Sequence, residues 1–268
     1  VVDQEGGCFV WGDAARLSPA DDILIKVEKA LDIDSEGQLI ASILSKKKAA
    51  GSTHVIIDMP IGETAKVRNK KTAEDLKAHI EFVGNQVGLT TKVIITDGSE
   101  PIGNGIGPAL EAMDVLRVLK GDTDAPADLK EHALLLAGEL LELSGQVEAG
   151  NGIKTASELL NSGKAFTKFR AICEAQGRFT APQSAPYFKE IRADKEGTLI
   201  RIDNRKIARL AKLSGAPEFK RAGILLNVHL GQTISKDELL YTIYTEAKGE
   251  LKYALDYEKM HNDIMTIL

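Results

Sequence analysis

Two short β-branched runs constrain this chain more than any other feature: His54-Val55-Ile56-Ile57-Asp58-Met59-Pro60 and Lys92-Val93-Ile94-Ile95-Thr96-Asp97. Both are too short for a typical helix and largely apolar without polar alternation, the pattern of strands covered on both faces of a parallel sheet. Parallel neighbours need a long crossover. The chain between the runs supplies one, a helical pattern over residues 72–87. A Gly-rich stretch, residues 98–107, follows the second run. It leads into another helical pattern at 108–119, with Pro108 at the first helical position. Strand, helix, strand, Gly-rich turn and helix make an α/β unit with helices flanking a parallel sheet.

Upstream, residues 7–11 (GCFVW) are short and apolar and predict a buried strand. Ser18-Pro19-Ala20-Asp21 is a helix-start signal, and a helix over 21–31 carries Ile23, Leu24 and Val27 on one face. Asp32-Ile33-Asp34-Ser35 breaks it. A second helix over 36–50 repeats Leu39, Ile40, Ile43 and Leu44 at helical spacing and is capped by Gly51. Residues 128–176 predict three helices, broken near 145–152 and at Gly163. The Pro/Ser-rich stretch FTAPQSAPY, residues 179–187, is the candidate linker between a domain at 1–178 and another at 188–268. Beyond the linker, strands over 199–202, 224–230 and 240–246 surround a helix over 204–213, a small α+β carboxy-terminal domain.

The bulk numbers narrow the function by exclusion. At 268 residues the chain holds one large domain or two modest ones. A net charge of −5 gives no global field toward nucleic acid or an anionic membrane. No apolar run approaches the roughly 20 residues that a membrane span needs. Cys8 and Cys173 are far apart and fit neither a disulfide framework nor a metal motif, so a reducing, cytoplasmic compartment is expected. The five histidines are scattered, with no i,i+4 pair to suggest a metal site. Gly103, Gly105 and Gly107 miss the dinucleotide spacing and suit a tight turn that packs a helix on a sheet.

Two constellations carry chemistry. Ser42 and Lys46, in ASILSKKKAAG, are four apart and so share a helical face. A hydroxyl beside an ammonium suits a carbonyl-rich heterocycle or an anion. Taken alone, however, the lysine triplet at 46–48 is the solvated end of a helix, with its charge matched to the dipole. Asp34 lies in the break between two apolar helices, where a carboxylic acid with a raised pKa can protonate a leaving group. Helix capping is the commoner role there, and Asp32 competes for either.

Longer motifs add a resemblance. Residues 17–67, LSPADDILIKVEKALDIDSEGQLIASILSKKKAAGSTHVIIDMPIGETAKV, resemble the core signature of the pyrimidine nucleoside phosphorylase family, closest to its AMP-phosphorylase and related thymidine-phosphorylase-like branch. Residues 98–116, GSEPIGNGIGPALEAMDVL, resemble a later motif of that family, and residues 197–217, GTLIRIDNRKIARLAKLSGAP, the opening of its carboxy-terminal domain. The resemblance implies phosphorolysis of a glycosidic bond, giving free base and a pentose 1-phosphate, as in nucleotide salvage. Thymidine phosphorolysis is the leading expectation and AMP or nucleoside 5'-monophosphate phosphorolysis the alternative. It also implies inorganic phosphate as co-substrate, no other cofactor and no metal, no nucleic-acid or membrane partner, and a homodimer or larger homo-oligomer.

By the same resemblance, Asp34 in ALDID matches the proton donor of AMP-phosphorylase-like members. Ser42 and Lys46 match base contacts, and Lys66 in ETAKV matches a substrate-contacting lysine of the AMP branch. Residues 25–29, Ile25-Lys26-Val27-Glu28-Lys29, depart from the thymidine branch, which carries a Leu-Arg-Asp signature there. The family's amino-terminal helical domain, Gly-rich phosphate loop and base loop have no counterpart within these residues. The resemblance therefore implies a carboxy-terminal portion with a parallel sheet incomplete at its amino-terminal edge, helices 21–50 drawn from the partner lobe, and no activity in this chain alone. A non-catalytic scaffold that keeps the family fold is the expectation from another class.

Overall fold

The structure is a computed structural model in which residues 1–10, 17–19, 23, 24 and 36–268 are described. Its elements, in chain order, are α1 (Val2–Glu5), α2 (Glu36–Ala49), β1 (His54–Ile61), α3 (Lys70–Gln86), β2 (Thr90–Asp97), β3 (Gly105–Ile106), α4 (Pro108–Lys120), α5 (Ala127–Leu143), α6 (Gly152–Asn161), α7 (Lys164–Ala175), β4 (Tyr187–Arg192), β5 (Gly197–Ile202), α8 (Asn204–Leu213), β6 (Gly223–Leu226), β7 (Thr233–Ile234), β8 (Leu239–Thr245), α9 (Lys248–Met260) and β9 (Met265–Ile267). The fold is α/β, a small parallel sheet with helices, plus antiparallel sheets of an α+β part. The chain forms two compact units. One comprises Val1–Met59, Asn69–Thr96 and Leu134–Phe179, the other Pro60–Arg68, Asp97–Ala133 and Thr180–Leu268.

In the first unit, α2 opens with Glu36 and ends with Lys46, Lys47 and Lys48, so each charge lies at the helix end whose dipole it complements. Ile40 and Leu44, one turn apart, form its buried face and pack toward α3. On α3 the buried positions are Ala73, Leu76, Ile80 and Gly84, again at helical spacing. Asn69 starts α3 by accepting the Thr72 N–H at 2.9 Å. β1 and β2 run parallel: in this unit the Thr90 N–H meets the Thr53 carbonyl at 2.8 Å, and at the strand ends that belong to the second unit the Gly98 N–H meets the Ile61 carbonyl at 2.8 Å. Val55, Met59 and Val93 are the buried side chains of this pair.

Residues 7–10 form no strand, contrary to expectation, and Phe9 and Val10 are 52% and 63% exposed. The cause is local. The Gln176 side chain accepts the Phe9 N–H at 2.7 Å and donates to its carbonyl at 2.5 Å, which takes the groups a neighbouring strand would use. The Phe9 ring lies 5.3 Å from that of Phe169. Trp11 and most of the helix expected over 21–31 lie outside the described residues.

The second unit holds a four-stranded antiparallel sheet, β3-β6-β8-β4, and a three-stranded one, β7-β5-β9. Its core gathers Leu199, Ile202, Ile207, Leu210, Ile224 and Ile243, none more than 1% exposed. Burying a side chain of this size contributes about 1.5–3 kcal/mol. The Asp203 carboxylate starts α8 by accepting the Arg205 and Lys206 N–H groups, each at 3.1 Å. That cap aims the first turn of α8 at the loop following β1, which belongs to the same unit.

Candidate active site

The helical spacing of Ser42 and Lys46 brings them together in the first unit. The Lys46 ammonium donates to the Ser42 hydroxyl at 3.4 Å, and both residues are half-buried on α2. Ser45 continues the polar face: its hydroxyl donates to the Ser42 carbonyl at 3.4 Å and lies 3.4 Å from the Ser18 hydroxyl. A hydroxyl, an ammonium and the exposed Lys47 and Lys48 make this end of α2 a cationic, donor-rich surface, suited to ring carbonyls or an anion. Asp34 and its competitor Asp32 lie outside the described residues.

Lys66 belongs to the second unit and is exposed in the loop between β1 and α3. This loop is tightly held. Within it the Gly62 N–H meets the Val67 carbonyl at 3.1 Å, and the Ala65 N–H meets the Gly62 carbonyl at 3.1 Å. Gly62 is needed because a side chain there would overlap the backbone of Gly98. The β5–α8 junction grips the loop from outside. The Arg205 guanidinium donates to the Thr64 carbonyl at 3.1 Å and to the Ala65 carbonyl at 3.4 Å. The Asn204 N–H meets the Thr64 hydroxyl at 3.3 Å, and the Asn204 side-chain amide donates to the Gly98 carbonyl at 2.9 Å. Arg201 donates to the Glu63 carboxylate at 3.3 Å, and that bond holds its pKa above the ordinary arginine value. None of these gripping residues is a site candidate from sequence, where residues 204–213 are read only as a helix.

The Gly-rich stretch serves structure. The buried Asp114 carboxylate of α4 accepts the Asn104 N–H at 2.8 Å and the Gly105 N–H at 2.6 Å. Asp128 takes the Gly103 N–H at 2.7 Å, and Glu111 takes that of Gly107 at 2.8 Å. These donors are spent on carboxylates, which repel an anion. A side chain at Gly105 would also overlap the backbone of Leu110, so the stretch is a turn that seats α4 against β3. Nearby, His229 lies 3.3 Å from the Glu100 carboxylate and 3.0 Å from the Asn104 side-chain oxygen.

Among the described residues, no cluster of histidine, cysteine and carboxylate side chains could hold a metal ion. Among them, too, no helix is long and apolar enough to cross a membrane.

No protein-family model matches the chain. Curated proteins do. A protein of Legionella pneumophila (strain Corby), named "Putative thymidine phosphorylase", is 55% identical over 267 residues, 100% of this chain and 52% of that protein. A protein of the same name from Hahella chejuensis is 54% identical over 261 residues, 97% of this chain and 52% of its own length. A third, from Maricaulis maris, is 52% identical over 267 residues, 100% of this chain and 51% of its own. The chain spans about half the length of the curated relatives it matches. With identity above one half along essentially every residue, the chain belongs to the thymidine phosphorylase family.

Proposed function

We propose that this chain is part of a pyrimidine nucleoside phosphorylase that cleaves thymidine and related nucleosides with inorganic phosphate. The pairing of Ser42 with Lys46 on one half-buried helical face carries this reading, within a chain 55% identical to a "Putative thymidine phosphorylase". In the reaction the C–N glycosidic bond breaks as a phosphate oxygen bonds to the anomeric carbon. The departing base takes a proton, and the products are free base and a pentose 1-phosphate. Asp34 supplies that proton as general acid. Ser42 and Lys46 contact the carbonyls of the base, where negative charge develops as it leaves. No organic cofactor or metal is needed. The working form is a cytoplasmic homodimer or larger homo-oligomer.

Nucleoside 5'-monophosphates are a second substrate class, favoured by a specific observation. Lys66 presents an exposed ammonium from a loop fixed by hydrogen bonds, and residues 25–29 offer no arginine for a pyrimidine. A charge-assisted contact is worth about 1.5–3 kcal/mol, roughly one to two decades in kcat/KM. The test is kcat/KM for thymidine, uridine, AMP and CMP, with protein of the relatives' full length and its Lys66→Ala variant. Lys66→Ala should cost the nucleotides roughly 10- to 100-fold and the nucleosides far less. A thymidine preference beyond about a thousandfold, with Lys66→Ala silent on every substrate, sinks the nucleotide reading.

A further inference from the structure

We propose that Arg205, assisted by Asn204, is a positioning residue for Lys66, acting on the substrate only through the loop that carries it. The inference rests on the reading of Lys66 as a substrate contact. Arg205 donates to the carbonyls of Thr64 and Ala65, the two residues immediately before Lys66. One planar fork therefore fixes two successive peptide groups. A lysine at 205 keeps the positive charge but offers a point donor without that fork. Asn204 ties the two walls of the same turn, its backbone N–H to the Thr64 hydroxyl and its side-chain amide to the Gly98 carbonyl. The Asn204 side-chain oxygen is buried without a hydrogen-bond partner among the described residues, so this side chain is held by its amide end alone. Arg201 restrains Glu63 from the adjoining strand β5. Between Ile61 and Lys66 the loop carries only Gly62, Glu63, Thr64 and Ala65, none with an apolar side chain large enough to anchor it in a core, while beyond Lys66 the half-buried Val67 pairs back to Ile61. The ends of the turn are fixed by the pairing of Ile61 with Val67, and the outer grip on residues 63–65, with the direction in which Lys66 leaves the backbone, comes from these donors.

The grip comes from the β5–α8 junction, more than 130 residues further along the chain than the loop it holds. Part of the α+β region thereby shapes a substrate contact that sequence places in the α/β region. Losing a positioning group weakens a contact without removing it, so the effect should be smaller than that of deleting Lys66 and should depend on Lys66 being present.

The experiment is a double-mutant cycle in protein of the relatives' full length, with AMP or CMP as the probe, whichever the enzyme turns over faster. Arg205→Ala and Arg205→Lys are each made in the wild-type and Lys66→Ala backgrounds. Amide exchange is followed in residues 62–67. The expected result is a loss of about 5- to 10-fold in kcat/KM for both Arg205 variants, carried mainly by KM, and less than about twofold in the Lys66→Ala background. The Gly62 and Ala65 amides should exchange faster in Arg205→Ala while α8 stays protected, which also shows that the variant is folded. If the loss is the same in both backgrounds, Arg205 acts independently of Lys66, and if Arg205→Lys restores full activity, Arg205 acts by its charge; either result overturns the inference. If Arg205→Ala costs nothing while Lys66→Ala does, the inference fails and the reading of Lys66 stands. If Lys66→Ala itself costs nothing, both fall.

Discussion

Replacing Asp114 by alanine should be among the most damaging single changes to the second unit. The side chain is 1% exposed, and one of its oxygens accepts the N–H groups of Asn104 at 2.8 Å and Gly105 at 2.6 Å. Alanine leaves both donors unmet. The Gly105 bond is buried, and a buried donor without a partner costs about 2–3 kcal/mol. The Asn104 bond is only part-buried, so relaxation toward water holds its cost to about 1 kcal/mol. The ion pair with Arg117 at 3.1 Å adds little, because that arginine is 33% exposed and solvent screens it. Asp114→Ala should therefore lose about 3–4 kcal/mol. Asp114→Asn keeps one oxygen to face both amides and should lose about 1–2 kcal/mol. Urea unfolding followed by far-UV circular dichroism, together with exchange of the Asn104 and Gly105 amides, measures both variants. The accounting is refuted if the alanine variant stays within about 1 kcal/mol of wild type, or if asparagine is no better than alanine.

In protein of the relatives' full length, Asp34→Asn should lower kcat by roughly 10²- to 10⁴-fold, the usual worth of a positioned general acid. Near wild-type turnover in that variant beside a dead Asp32→Asn would transfer the role to Asp32. Lys46→Ala should lower kcat/KM for thymidine by about one to two decades, with Ser42→Ala costing less because a hydroxyl offers only a neutral hydrogen bond; equal, negligible effects would return both residues to a solvated helix end. Burial pushes the Glu258 carboxyl above its ordinary pKa, opposed in part by Lys259. The folded state then holds this proton more tightly than the unfolded state, so wild type loses stability relative to Glu258→Gln as pH rises from the ordinary carboxylate pKa to the raised one. Urea midpoints of the two proteins across that range check the sign, and a difference that shrinks with rising pH would contradict it.

The central elements were legible because local pattern and tertiary role agree. The helix expected over 204–213 is α8 to the residue, since Asp203 is a capping residue and Ile207, Leu210 and Ala211 recur on its buried face. β1, α3, β2 and α4 emerged from apolar runs and helical spacing in the same way, with small shifts at their ends. β4 did not: most of YFKEIR is exposed at the edge of its sheet, so burial imposes no alternation on it. α9 carries a short apolar repeat, Leu251, Ala254 and Leu255, on its core-facing side, but only Ala254 is fully buried and the flanking positions are charged, so the helix is not assigned from sequence. β3, β7 and β9 are two or three residues long and exist through partners distant in sequence. The site divides similarly. Ser42 and Lys46 share a helix, so spacing alone forecasts their meeting. The grip of Arg205 on residues 64 and 65 depends on how the chain returns to that loop, and no local pattern records it. Residues 7–10 show the reverse case, an apolar run that forms no strand and whose Phe9 backbone is met by one glutamine side chain.

The most direct test of the phosphorylase reading is product stoichiometry with and without inorganic phosphate. Protein of the relatives' full length is incubated with thymidine, and free base and pentose 1-phosphate are quantified together. The account predicts equimolar base and deoxyribose 1-phosphate, formed only when phosphate is present and lost in Asp34→Asn. Base released at an undiminished rate without phosphate would make the protein a hydrolase. No release from any nucleoside or nucleotide tested would leave a family scaffold without the family's chemistry, and either result contradicts the account.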